Sequence, residues 1–356
     1  MNKFGLLVTG PMGPDKNIGD YIQSLAALQY IDGHCCYIEK EKIAKFDGNE
    51  RIKTIMNAWY MWCPDNWPPM EEAITPLMIS IHISPLMFDQ MLANGGKEYL
   101  ITHGPVGCRD TGTLKLLQDA GIPSYFSACM TLTLGRTYRY HAERKGVYFV
   151  DAFFPPIRYV NGGKAVYQPI NLVKAVFYFF RNMKMVNSLA RKSFFKGRFK
   201  LQTYYNASIF YHAYSSMFSD DVLLSAEYLS HMLPVSSTWN HDELLDVARQ
   251  LLHKYACAKL VVTSRIHCAL PCLGLDTSVV FVTNDDLESA APGRFGGLMQ
   301  LFRVVCYNSK NRLWTNDRAL SEMAKFSGGN VPFVNKDDWR EYEAELHEKC
   351  MDFMKS

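Results

Sequence analysis

A chain of 356 residues is long for one core and comfortable for two domains of ordinary size. Its hydrophobic fraction of 48% and charged fraction of 21% are those of a globular protein. A formal net charge of +3 is too small to argue for nucleic acid, and no RRM, zinc-finger or helix-turn-helix signature appears.

The opening "MNKFGLLVTG" has a short apolar run before a Gly-Pro-rich loop, which suits a first β-strand, Phe4–Thr9, better than a signal peptide. No window approaches the roughly 20 apolar residues of a membrane span. The ten cysteines are scattered without a CxxC pair, so reduced core thiols and a cytoplasmic location are expected. "YIQSLAALQYI" has apolar residues at helical spacing. "CCYIE", "PLMISIHIS", "EYLITH" and "PSYFSA" are the next strand candidates. "DTGTLKLLQDAG" reads as a helix with Asp110 as N-cap and Gly121 as stop.

A second series starts at Val147–Val150, in "GVYFVDAFF". "NHDELLDVARQLLHKYACAK" is predicted as an amphipathic helix, "LVVT" as a strand, "RIHCALPCLGL" as a helix, "SVVFVT" as a strand and "FGGLMQLF" as a helix. The tail "DDWREYEAELHEKCMDFMK" is a charged amphipathic helix suited to packing back on the first half. Alternation of this kind predicts an α/β protein with parallel sheets covered by helices. The boundary between the two series is expected in "HAERKG", residues 141–146.

One stretch stands apart by composition. Between Asp151 and Asp220 lie ten Lys/Arg and no acidic residue, interleaved with aromatics. Two readings stay open. Residues 170–205 form a basic amphipathic surface that touches anionic lipid or a lipid-linked substrate, or a helical insertion over 165–215 packs one face and leaves a solvated basic one.

In an open parallel sheet, ligands collect beyond the carboxyl ends of strands, at helix N-termini. Three segments fit. "TGPMGPDKNIGDYIQ" carries glycines at 10, 13 and 19 and polar Asn17, Asp20 and Gln23, but is neither a Walker A loop nor GxGxxG. "THGPVGCRDTGT" puts Arg109 just before a helix start, where it meets an anion or simply pairs with Asp110. "VTSRIHCALPCLG" places two potential cations at the electropositive end of a helix, an arrangement that makes sense if an anion sits between them. With Ser264 as cap, Arg265 is the first helical residue and His267 the third. Guanidinium suits bidentate binding of carboxylate or phosphate, and imidazole transfers protons near neutral pH. The alternative is a satisfied core histidine and an interdomain salt bridge. His267, Cys268 and Cys272 lack a matching second ligand pair, so no metal is expected.

"NIGDYIQSLAALQYI", "GPVGCRDTGTLKLLQDAGIPSYFSACMTLTL" and "AKLVVTSRIHCALPCLGL" together resemble the polysaccharide pyruvyl transferase family, in the family's order from residue 17 to about 275. The resemblance implies transfer of a pyruvyl group from phosphoenolpyruvate to hydroxyls of a glycan, free or lipid-linked, as a ketal. It implies two Rossmann-like domains facing a cleft in the glycosyltransferase-B manner: residues 1–143, residues 146–335 and a C-terminal helix over 336–356. Arg109 and His267 take the positions of the family's essential arginine and histidine. Ser264 and Arg265 join them around phosphoenolpyruvate, which serves as co-substrate with no cofactor. The lysine some members carry after the next strand is missing, and Arg294 is its candidate replacement. Asn17, Gly19 and Asp20 are expected to shape the acceptor side of the cleft. Two rival functions share this architecture: a nucleotide-sugar-dependent glycosyltransferase, and a non-catalytic descendant that binds an anionic ligand.

Overall fold

A computed structural model describes residues 4–10, 15–47, 50–156, 158–161, 164–167, 169–234, 239–284, 293–308 and 312–356. The predicted Gly13 turn and the stretch 285–292 before Arg294 lie outside the described residues.

The first half contains β1 (Phe4–Val8), α1 (Ile18–Leu28), β2 (Cys35–Glu39), β3 (Ile52–Ile55), β4 (Ile74–Leu77), α2 (Gly96–Thr102), β5 (Val106–Cys108), α3 (Thr111–Asp119) and β6 (Ser124–Phe126). A parallel sheet runs in the order β2-β1-β3-β4. The chain leaves β1 to one side for β2 and returns to the other for β3. That reversal opens a crevice at the carboxyl end of β1. α1 covers this region because Asn17 caps it, accepting from the Gly19 N–H at 3.1 Å. Its residues Ile18, Tyr21, Ile22, Leu25 and Ala26 are buried at i, i+3, i+4, i+7 and i+8.

The second half contains β7 (Lys145–Val150), α4 (Pro169–Arg181), α5 (Met183–Ala190), α6 (Lys200–Tyr214), β8 (Glu227–Leu229), α7 (His241–Cys257), β9 (Ala258–Thr263), α8 (Ile266–Gly274), β10 (Val279–Asn284), β11 (Arg303–Tyr307), β12 (Leu313–Trp314) and α9 (Trp339–Lys355). Its sheet runs β8-β7-β9-β10-β11-β12, parallel except for the last pair. The same reversal recurs here, with β8 and β9 on opposite sides of β7. α7 opens with a reciprocal capping box between Asn240 and Glu243, which stops the helix from fraying at a loop.

The largest apolar cluster draws on both halves, joining α1, α7, α8, β9 and α9. Its centre is the turn Met130–Leu134, the "MTLTL" of the middle motif, all five residues of which are buried. There the backbones meet: a Cβ on Gly135 would lie 1.7 Å from the Gly274 carbonyl oxygen, so only glycine allows α8 to seat. α9 lies against the first half through Arg136–Glu343 at 2.6 Å and Tyr30–His347 at 3.2 Å. All ten cysteines are thiols. Among the described residues, no helix is long and apolar enough to cross a membrane.

Four local expectations are corrected. "EYLITH" belongs to helix α2, whose buried Gly96, Tyr99 and Leu100 follow i, i+3, i+4 spacing. "PLMISIHIS" is broken into β4 and the short strand His82–Ile83, with Ser80 at φ 54° between them. "FGGLMQLF" forms turns and a single 3-10 turn, Met299–Leu301. Strand β3 was not expected: Lys53 interrupts its apolar pattern, but the lysine reaches the Phe353 carbonyl of α9 at 3.1 Å.

Candidate active site

Arg109 follows β5 and precedes α3. Its side chain is 1% exposed, making it the largest of the fully buried side chains. Its backbone N–H donates to Ile81 O at 2.8 Å, pinning the residue to the sheet. Asp110 caps α3 through the Thr113 N–H at 2.9 Å, and Gly121, at φ 74°, follows its end. The carboxylate of Asp110 therefore points back into the helix start. It accepts from His82 Nδ1 at 2.6 Å and stands 3.7 Å from Arg109 Nε, beyond hydrogen-bond reach. Arg109 Nε and Nη2 are both buried without a partner. Simple pairing with Asp110 therefore does not satisfy Arg109. Two bare donors on a buried cation are costly unless something anionic completes them. His82 is pushed down to about 4, first by burial and then by Arg109, so it donates to Asp110 as a neutral ring.

The second motif differs from expectation at its first residue. Ser264 does not cap α8; its hydroxyl donates to Val282 O at 2.6 Å and accepts from Phe153 N–H at 2.9 Å, tying its own loop to strand β10 and to the segment after β7. Extended backbone persists through Arg265, which occupies the capping position with no side-chain bond to the helix. His267 thus becomes the second helical residue. Arg265 Nε donates to Asp151 Oδ2 at 2.8 Å, so this cation is already partnered. Asp151 sits at the end of β7 with φ 42°, and the same oxygen accepts from the His231 N–H at 2.9 Å. His267 is buried, and its Nε2 has no partner. Burial first, then Arg109, Arg294, His231 and His82, hold its imidazole well below the ordinary value. It is neutral at pH 7.

Loops from the two sheets bring these pieces together. Asp15–Asn17 pairs antiparallel with Met232–Pro234, and Ile18 N–H donates to His231 O at 2.9 Å. A Cβ on Gly19 would lie 3.2 Å from His267 Cβ and 3.2 Å from His231 Nδ1. The loop carrying Arg294 rests on the start of α3: Thr111 N–H donates to Gly296 O at 3.1 Å, and a Cβ on Gly112 would come 2.8 Å from Gly293 Cα. Arg294 is exposed, although neighbouring protein crowds its guanidinium. Desolvation, then Arg109 and Arg265, lower it to about 10 against the pull of Asp20 and Asp110. Arg109, His267, Arg294, Arg265 and Asp20 therefore share one electrostatic neighbourhood. Asn17 is there too, but its carboxamide oxygen is spent on capping α1.

Sequence reasoning missed His82, Asp151 and His231, which hold the cations and the loops. It also missed a narrow recess at the carboxyl end of β1, lined by Asp20, Gln23, Lys40, Asn57 and Trp59. Lys40 and Asn57 are buried there, and Asn57 Oδ1 has no partner. Asp20 and Gln23 were already marked by their place on α1, whereas Lys40, Asn57 and Trp59 reach the recess from other segments and carry no local signal. Among the described residues, no group of three or more His, Cys, Asp or Glu is placed to hold a metal ion. The arrangement has the chemistry to hold a small ligand with two negative groups beside a neutral, buried imidazole.

A family model described as polysaccharide pyruvyl transferase matches residues 92–286. The matched span contains Arg109, Ser264, Arg265 and His267, while Asn17, Gly19, Asp20 and Arg294 lie outside it. No curated protein and no solved structure matches the chain.

Proposed function

The chain belongs to the polysaccharide pyruvyl transferase family, and from that premise we propose that it transfers the pyruvyl group of phosphoenolpyruvate to hydroxyls of a glycan, closing a pyruvate ketal. The observation that carries this reading is the buried Arg109 with two unpartnered nitrogens, coupled to the unpartnered Nε2 of His267. Phosphoenolpyruvate offers a carboxylate and a phosphate, which suit Arg109 and Arg294, with Arg265 held alongside by Asp151. The reaction needs a proton on the methylene carbon, which makes C2 cation-like. One sugar hydroxyl adds there, phosphate departs, and a second hydroxyl closes the ring; the two hydroxyl protons balance the new methyl C–H and the released phosphate. His267 supplies and removes protons in these steps. Arg109 and Arg294 stabilise the charge on the leaving phosphate. Asp20, half-buried beside Arg294, and Gly19 lie on the acceptor side of the cleft.

Two parallel sheets with matching reversals support the reading of two Rossmann-like domains in the glycosyltransferase-B manner, divided at residues 143–146 and followed by the helix of 336–356. No cofactor enters the scheme.

Two measurements test it. Phosphoenolpyruvate is expected to raise the unfolding temperature by mass action and, with an acceptor glycan, to release inorganic phosphate. Stabilisation by a nucleotide sugar alone would assign the chain to glycosyl transfer instead. Gly112→Ala addresses the role of Arg294. A methyl group there collides with the backbone of Gly293 and pushes the Arg294 loop away. A displacement of about 1 Å costs roughly 10²-fold in kcat/KM, and because the colliding atoms are backbone the variant also loses about 1–3 kcal/mol of stability. Unaltered kinetics would remove Arg294 from the site.

A further inference from the structure

The segment with ten Lys/Arg and no acidic residue folds into α4, α5 and α6, and its outer face is not the solvated basic surface of an ordinary insertion. On α4, Asn171, Ala175 and Tyr178 face inward. The opposite stripe is apolar: Ile170, Val173, Phe177 and Phe180, at i, i+3, i+7 and i+10, are 62%, 66%, 61% and 67% exposed. Phe199 and Leu201, at the start of α6, are equally bare at 66% and 57%. The two helices enclose an apolar groove of about 300 Å³ that opens on this face, lined by Leu172, Val176, Phe179, Phe180, Leu201 and Tyr204. Exposed cations of the same segment include Arg181, next to Phe180 at the end of α4, Lys184 on α5, and Lys196, Arg198 and Lys200 leading into α6, where Arg198 lies against the Phe199 ring. Large aromatic side chains left in water at helical spacing are a liability unless another phase covers them. A segment that carries charge of only one sign specifies that phase.

We propose that this face docks on an anionic membrane surface, with Phe177, Phe180 and Phe199 entering the acyl region and the five cations meeting lipid phosphates. α4 is too short to span a bilayer, so it lies in the plane of the interface. The charge pattern selects the membrane over a second copy of the chain, since two copies joined through this face would oppose like charges. The proposal is independent of the transferase reading, because adsorption to vesicles requires no turnover.

Co-sedimentation with vesicles tests it. The whole chain is mixed with vesicles of phosphatidylcholine alone, or with about one quarter phosphatidylglycerol, at low and high salt. Binding is expected only with phosphatidylglycerol, weakened about tenfold by high salt. Phe177→Ser with Phe180→Ser, and separately Lys196→Ser with Arg198→Ser and Lys200→Ser, should each lower the vesicle affinity at least about tenfold. Both variants change exposed side chains only, and an unchanged unfolding temperature verifies the fold. Absence of binding, equal binding to phosphatidylcholine, or binding indifferent to both variants would overturn the proposal. So would a dimer in light scattering that the phenylalanine variant dissolves while vesicles fail to bind; the face would then join two copies.

Discussion

Arg109→Met is expected to lower kcat/KM for phosphoenolpyruvate by about 10²- to 10⁴-fold and at the same time to lower the stability of the folded chain. The two effects have one cause. Arg109 is 1% exposed, it is ion-paired with Asp110 at 3.7 Å, and its Nε and Nη2 have no hydrogen-bond partner. Without a bound anion the protein holds a buried cation that is under-coordinated. Removing one partner of a buried ion pair while the other stays commonly costs about 3–5 kcal/mol, and Met leaves Asp110 buried beside a neutral His82. Asp110 keeps its bonds to the Thr113 N–H and His82, so the helix start survives the change. Two charge-assisted hydrogen bonds to a ligand, each worth about 1.5–3 kcal/mol, account for the loss in kcat/KM. Thermal unfolding and steady-state kinetics on the same preparation check both halves. A variant that is less stable and still fully active would make Arg109 a packing residue.

His267→Ala is expected to reduce kcat by about 10²- to 10⁴-fold while leaving stabilisation by phosphoenolpyruvate largely intact. Its imidazole is neutral in the empty site because burial and the neighbouring Arg109 and Arg294 disfavour a further positive charge. A carboxylate and a phosphate placed among these groups reverse the electrostatic part of that shift. The ring's pKa rises, so the complex binds more protons than the free protein, and affinity gains as pH falls toward the ordinary histidine range. Binding heats measured near pH 7 in two buffers of different ionisation enthalpy should show proton uptake in the wild type that His267→Ala lacks. Equal proton uptake in the two proteins, or undiminished kcat, would remove His267 from the chemistry.

How much of this was readable beforehand depended on whether the physics was local. α1, α7, β9 and β10 are each specified by their own residues: apolar spacing of 3.6 begun at Asn17 or at the Asn240–Glu243 box, or a short Val-rich apolar run. α2 was misread because "EYLIT" is short enough to suit either period, and only packing of Tyr99 and Leu100 against the first sheet decides. β3 was missed because Lys53 is made acceptable by α9, some 300 residues away. At the site, Arg109, His267 and Arg294 were identifiable singly. The capping of α8 was not: the Val282 carbonyl of a neighbouring strand and the Phe153 N–H, both distant in sequence, take the hydroxyl of Ser264.

The chain by itself determined the alternation of elements, the two helix starts that carry Arg109 and His267, and the charge pattern of residues 152–219, since each depends on neighbours a few positions away. Tertiary structure alone decided that Asp151 would take Arg265, that Asp110 would stop short of satisfying Arg109, and that Gly112 would let Gly293 bring Arg294 alongside. The first and third of those outcomes turn on close approach between segments more than a hundred residues apart. Side-chain identity sets which groups can meet; only close packing of the two sheets sets which of them are left without a partner.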